Sequence, residues 1–379
     1  MGISIGIVGV GMFGQGFVRL FRDHPLVDRI ALCDVKPERL AKVAERFGIA
    51  ETYASLDEIC RTDVQALAII TQPWLHAPQA IQAMEAGKHV YSAVPMMCLS
   101  DGDEMLDWCD KIIAACTRTG MHYMMGETSY YRPQAMYCRR RAAEGAFGNF
   151  VLAEGEYLHD LDHGLREVAR NRRGEQWDIS QSGGVPMHYP THSIGGFLSV
   201  MRQRVTRVSA VGYVHPNDDW FREDTVSGNV FSNETAFFRL SGGAVARVCE
   251  YRRVGHCGRE GFRLFGTEGS FADEPWGSHW VTKSGITPLT PEEMRDPLPP
   301  EVLEAFSRES SRDVVVYGGP GGAPAYLVHE FAAAVAAGRR PTVNAWEAAR
   351  YFAPGVMAHK SALKDGEWMN VPDWGDAPA

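Results

Sequence analysis

The chain has no C-x-x-C pair, no surplus of basic residues and no apolar run approaching a membrane span. Each shortage removes a class of function. Its eight cysteines, at 33, 60, 98, 109, 116, 138, 249 and 257, show no zinc-like spacing and read as reduced, mostly buried thiols. A formal charge of −9 withholds the basic footprint that phosphate backbones require, which argues against a nucleic-acid partner. A spanning helix needs about 20 apolar residues, and the strand-like start at Ile3 has no basic, apolar leader ahead of it. The expectation is a cytoplasmic protein with no membrane partner. There is no internal repeat and no low-complexity tract. What is present is ordinary for a globular protein: 45% apolar and 22% charged residues over 379, enough for two domains with full cores.

The chain is organised around residues 3–34. An apolar run (Ile5, Ile7, Val8) leads into Gly9, Gly11 and Gly14 in G-x-G-x-x-G register. Phe13, Phe17, Leu20 and Phe21 follow at helical spacing, and a second apolar run ends at Asp34, twenty residues past Gly14. Strand, glycine turn, helix, strand and acid in that order form a dinucleotide fingerprint. Gly9 permits the tight turn, Gly11 the approach of a pyrophosphate, and Gly14 the contact of helix with strand; the helix N-terminus faces the phosphates. Asp34 is the expected ribose ligand. A carboxylate there repels a 2′-phosphate, so the cofactor expected is NAD.

Apolar strands at 64–71, 89–94 and 121–126 alternate with helices at 37–47, 76–87 and 100–116, the last capped by Ser100. This predicts an α/β Rossmann domain, a doubly wound parallel sheet, over residues 1–126. From 127 to 379 the character changes. A basic helix (133–145) precedes strand-like stretches at 149–158, 204–214, 225–241, 243–252 and 260–266, then a Pro/Gly-rich loop over 284–324 and two helices. An α+β domain with a large mixed or antiparallel sheet is expected there, binding substrate and forming oligomer contacts.

Several motifs resemble the Gfo/Idh/MocA oxidoreductases: the glycine loop with Met12 and Phe13, Thr71-Gln72-Pro73 with His76, Ala93-Val94-Pro95, Tyr131-Arg132-Pro133, and Phe265-Gly266-Thr267-Glu268-Gly269. The resemblance implies that Thr71, Gln72, Pro73, His76, Val94 and Pro95 join the glycines and Asp34 in binding the cofactor. It also implies an open sheet used in a homodimer or homotetramer. One departure matters more than the matches. The family usually carries Glu-Lys-Pro where this chain has Ala93-Val94-Pro95. A valine offers no proton, so the lysine's acid–base role is vacant. A subgroup shares this loss, the NAD-dependent glycoside hydrolases typified by α-N-acetylgalactosaminidases. The segments 125–131, 154–161 (ending Tyr157-Leu158-His159-Asp160-Leu161) and Tyr189-Pro190-Thr191-His192 are similar to theirs. NAD-dependent sulfoquinovosidases are related, which extends the expectation to an anionic sugar. Where related chains often place histidines, Pro320 and Pro324 stand.

The resemblance implies hydrolysis without net redox: oxidation of a hexoside at C3, loss of the acidified C2 proton, expulsion of the C1 group, addition of water and return of the hydride. His192, Tyr157 and Glu127 are the candidate catalytic residues. Pro190 suits a helix start, putting His192 where a helix N-terminus would keep it a neutral base. Tyr131, Arg132, His159, His188, Tyr189 and Tyr317 are candidate substrate ligands, as is Arg172 in a basic loop over 170–173 able to hold an anion. Pro190 separates His188 from the helix bearing His192, so a metal pair is not expected. A small-molecule glycoside is the expected partner. The alternatives are a sugar or glycoside dehydrogenase, and a non-catalytic NAD-binding regulator.

Overall fold

The run Ile3–Val8 forms β1, almost wholly buried, as a strand covered on both faces must be. The computed structural model describes residues 2–173, 184–309 and 312–378, apart from the side chains of Arg172, Arg173 and Pro320. After β1 come α1 (Met12–Asp23), β2 (Val27–Cys33), α2 (Pro37–Phe47), β3 (Thr52–Tyr53), α3 (Leu56–Cys60) and β4 (Ala66–Ile69). The run continues with α4 (His76–Glu85), β5 (His89–Ser92), α5 (Gly102–Thr119) and β6 (Tyr123–Met125). All six strands are parallel, in the order β3-β2-β1-β4-β5-β6. The order reverses between β1 and β4, which opens a crevice at the strands' carboxyl ends beside the glycine loop.

Asp101, not Ser100, caps α5: its carboxylate accepts from the N–H groups of Asp103 (2.8 Å) and Glu104 (3.2 Å). A carboxylate satisfies those orphan donors and also meets the positive end of the helix. The Ser100 hydroxyl donates instead to the Val226 carbonyl.

The second half begins with α6 (Pro133–Ala143), β7 (Phe150–Leu158), α7 (Arg166–Arg173) and α8 (Thr191–Met201). Arg170 to Arg173 thus end a helix and are not a loop; Arg166 anchors that helix on Asp162 and Asp219. Then follow β8 (Val205–Val214), β9 (Phe231–Leu240), β10 (Val245–Tyr251), β11 (Arg259–Gly266), β12 (Gly269–Glu274), β13 (Gly277–Thr282) and β14 (Gly285–Leu289). The expected strand over 225–241 starts only at Phe231. The expected loop over 284–324 holds β14 and the short helices α9 (Pro291–Met294), α10 (Pro300–Ser307) and α11 (Asp313–Val316). β14 is an exposed edge strand with a proline and no alternation, so its pattern carries no strand signal. Last come α12 (Ala323–Ala337), α13 (Ala345–Ala362) and β15 (Met369–Asn370).

The nine-stranded sheet runs β14-β13-β12-β11-β7-β10-β9-β8-β15, and within it β7 and β10 pair in parallel. Its core face carries α8, and at Gly155 the approach is very close: a Cβ there would lie 1.9 Å from the Ser193 carbonyl oxygen. The opposite face carries a ladder of Glu154, Arg247 and Arg263, with Val211, Tyr213, Phe237 and Val245 exposed. α12 returns to the first sheet, where Phe331 meets Phe21 and Tyr91 at ring separations of 6.4 and 5.8 Å.

Candidate active site

Register sets the first part of the site. Tyr157 on β7 lies opposite Glu250 on β10 and Glu260 on β11, so three polar residues cross the centre of the sheet in one row. They share the core face with Gly155, where α8 packs. Tyr157 Oη lies 2.8 Å from His159 Nδ1, and its ring stacks on His192 at 5.6 Å. The Arg252 guanidinium sits over the Tyr157 ring, 4.6 Å from its centre, and donates to Glu250 at 2.7 Å. Burial raises the Tyr157 hydroxyl well above an ordinary phenol, with Arg252 opposing.

Glu127 and His192 form the second part. Glu127 leaves the end of β6 and is fully buried; His192 is in the first turn of α8. His192 Nδ1 lies 3.0 Å from Glu127 Oε1, which also accepts from the Ser129 N–H at 2.8 Å. Burial opposes charge on both groups, but their attraction outweighs it. His192 is raised to about 9 and Glu127 is held down at about 2. His192 is therefore a cation at neutral pH, not the neutral base the helix N-terminus suggested; a contacting carboxylate dominates a partial dipole charge. Tyr189 flanks the imidazole at 5.5 Å and donates to the Val94 carbonyl at 3.2 Å, tying the cluster to the Rossmann edge.

That edge fits a dinucleotide. Gly9 has φ +90°, and a Cβ on it would lie 2.5 Å from the Ile70 carbonyl oxygen; one on Gly14 would lie 2.1 Å from the Gly9 oxygen. A Cβ on Gly11 would meet open space, at a helix start with no side-chain cap, and Met12 and Phe13 beside it are exposed. The first N–H groups of α1 are thus free of side-chain caps, as a phosphate cradle requires. Asp34 is already engaged: it accepts from the N–H groups of Val10 (3.0 Å) and Lys36 (2.9 Å) and pairs bidentately with Arg39 at 2.7 and 2.9 Å. Four donors fill a carboxylate's capacity, so a ribose hydroxyl reaches it only where Arg39 yields. His76 is buried and bridges the carbonyls of Pro95 (2.8 Å) and Thr71 (3.2 Å), bracing two edge loops. The Thr71 hydroxyl donates to Gln79, and Gln72 with Pro73 starts a single 3₁₀ turn.

The other predicted ligands, Arg172 apart, are already engaged by neighbouring residues. His188 is buried between Leu99, whose carbonyl it meets at 2.9 Å, and His359; burial lowers it to about 3. It is a neutral joint between elements. Tyr131 is packed against Tyr130 and Tyr326, and Tyr317 stacks on Tyr326 beneath Arg295. Arg132 is committed to Glu260, through its carboxylate and its carbonyl at 2.9 Å. The side chain of Arg172 falls outside the described residues. No group of three or more potential metal ligands occurs among those described. Glu250, Glu260 and Arg252 went unnoticed in the sequence, because a charged residue in a strand reads as solvent-facing until its neighbours are known.

Residues 3–127 match the model of the oxidoreductase family with an NAD-binding Rossmann fold, and 136–272 match the GFO/IDH/MocA C-terminal domain. The chain belongs to the Gfo/Idh/MocA oxidoreductase family. Within it the first sheet is the NAD-binding Rossmann fold, and the C-terminal domain match takes in β7 to β11 of the nine-stranded sheet. Among curated proteins this Gfo/Idh/MocA member is similar to a glycosyl hydrolase family 109 protein of Porphyromonas gingivalis, 34% identical over 203 residues. A protein of the same name from Shewanella pealeana is 29% identical over 208 residues. The matches cover 51% of this chain in both cases, and 41% and 43% of those proteins, so the matched part is less than half of their length. Levoglucosan dehydrogenase solved with NADH superposes with a TM-score of 0.76 at 20% identity, covering 98% of this chain and 100% of that one. An oxidoreductase of Agrobacterium radiobacter, in complex with NAD+, L-tartaric acid and magnesium, also gives 0.76, at 14% identity and 98% coverage of both chains. These structures establish the shared fold.

Proposed function

We propose that this protein is an NAD-dependent glycosidase, acting on a hexoside by transient oxidation at C3, elimination across C2 and C1, addition of water and re-reduction. One observation carries the reading. Where the family's acid–base lysine would sit there is Val94, and beside it buried Glu127 and half-buried Tyr157, His159 and His192 form a cluster able to move protons. The relatives named glycosyl hydrolase family 109 proteins support the same reading.

The glycine loop and the start of α1 would hold the pyrophosphate, with Thr71, Gln72, Pro73, Val94 and Pro95 along the remaining edge. When bound, NAD+ supplies a hydride acceptor that later gives the same hydride back. Tyr157 exchanges a proton at the C3 and C2 side of the sugar through Oη, with His159 Nδ1 as its relay. Arg252 over the ring offsets charge that develops on the phenol oxygen. His192, with Nδ1 held by Glu127, offers the Nε2 proton to the departing C1 oxygen. Glu127 fixes the imidazole's orientation and keeps it charged. The atoms balance as glycoside plus water giving free sugar plus alcohol. The exposed apolar row on the open sheet supports self-association as a dimer or tetramer.

The test follows NADH absorbance and aglycone release together, with NAD+ and a panel of aryl glycosides. Aglycone without accumulating NADH, and deuterium at C2 of the sugar in heavy water, are expected. Stoichiometric NADH with the glycosidic bond intact would assign a dehydrogenase instead.

A further inference from the structure

Beyond Tyr157 and Tyr189 the cleft continues into a cavity of about 470 Å³, within the range of drug-sized ligand sites. Its far walls are apolar: Leu161 and Leu165 from the segment after β7, Trp220, Phe221 and Val226 from the β8–β9 connection, and Trp74 from the Rossmann edge. Leu161, Trp220 and Phe221 form a small core of their own, apart from the two large ones. Two aromatic side chains have been brought there by buried charge. Asp218 accepts from the N–H groups of Trp220 (2.7 Å) and Phe221 (3.1 Å), and Arg253 clasps the Asp218 carboxylate at 2.8 and 3.0 Å. Arg166 lies over the Trp220 ring at 5.3 Å. The wall is therefore preformed, and a ligand entering it need not pay to order the loop.

Charge is scarce on this lining. Among the described lining residues Arg252 alone carries a permanent charge, and it is committed to Glu250 at 2.7 Å and to the Tyr157 ring at 4.6 Å. Among the described lining residues a sulfonate or carboxylate would find no uncommitted cation in return for its lost hydration. An aromatic surface would instead lose only ordered water and gain packing against Trp74, Trp220 and Phe221.

We propose that the group attached to the sugar is a neutral aromatic or polycyclic alcohol, seated in the cavity between Leu165 and Trp220 while the sugar ring occupies the end lined by Tyr157 and Tyr189. This rests on the glycosidase reading above, though the cavity selects the same moiety whether its bond to sugar is cut or kept.

The test uses the NAD-loaded protein and pairs of glycosides matched in leaving-group acidity: ethyl and 2-(2-naphthyl)ethyl glycosides of the same hexoses. The naphthylethyl member should show a kcat/KM roughly 100-fold higher, since a few buried methylenes already give discrimination of that order. Ratios within about threefold, or a preference for a 2-sulfoethyl glycoside, overturn the proposal. Leu165→Asp places a carboxylate in the wall and should collapse the ratio towards one; an unchanged ratio in a folded variant counts against it. If NADH accumulates with every glycoside intact, the glycosidase reading fails, yet the ratio of oxidation rates still reads the cavity. If no pair is turned over, tryptophan quenching by 2-(2-naphthyl)ethanol decides. Saturable binding in the micromolar range supports the cavity assignment, and no quenching up to the solubility limit overturns it.

Discussion

At the residue scale the decisive contact is Glu127 with His192. The carboxylate is depressed from 4.5 to about 2, so its stabilising share is full above about pH 4.5 and lost as pH falls through 2. The imidazole is raised from 6.5 to about 9, so its share is full below about pH 6.5 and lost as pH rises through 9. The pair contributes fully between those limits. Glu127→Gln should therefore cost about 3 kcal/mol at pH 6 and much less at pH 9.5, read from urea unfolding at both values. The same variant should lower the His192 titration from about 9, because burial and Arg132 then oppose the charge with only Glu260 still favouring it; imidazole NMR shifts check this. Tyr157→Phe keeps the stack on His192 but removes the hydroxyl that meets His159. Its kcat should fall at least about 100-fold with the unfolding midpoint little changed.

At the element scale, α8 presents His192 only because β7 lets it come close. Gly155→Ala puts a methyl where the Ser193 carbonyl stands, forcing helix and sheet apart. The expected cost is about 1–3 kcal/mol, with lower kcat as the Tyr157–His192 stack opens, measured by thermal unfolding and steady-state kinetics. The cap of α5 offers a cleaner comparison. Asp101→Ala should lose about 1 kcal/mol, while Ser100→Ala, whose hydroxyl makes one long bond to Val226, should stay within about 0.5 kcal/mol.

At the scale of the whole molecule, the first sheet is completed by residues far along the chain. Leu327, Val328 and Phe331 of α12 are fully buried in the core that contains Phe17, Phe21 and Tyr91. A fragment ending at 126 should therefore lack the sharp near-ultraviolet circular dichroism of the full chain and unfold without a cooperative transition. On the opposite side of the second sheet, Phe237 stands exposed beside Ser209 and Arg247 in register. If that face joins copies of the chain, Phe237→Asp should shift the sedimentation coefficient to that of a monomer.

Much of this architecture is written locally. Glycine spacing, apolar runs and amphipathic helices depend on neighbours within a few residues, so the Rossmann order, the NAD cradle and the missing lysine at Val94 are legible without coordinates. Tyr157, His159 and His192 can be picked out as candidates in the same way, because their motifs mark them. Weak edge strands such as β14 carry no such pattern and stay hidden. The charge on His192 depends on a carboxylate 65 residues away, and the row of Tyr157, Glu250 and Glu260 on strand register. The apolar cavity depends on Asp218 and Arg253 turning two aromatics inward. These are properties of distance in space, where Coulomb attraction and desolvation act, and only the assembled tertiary structure sets those distances.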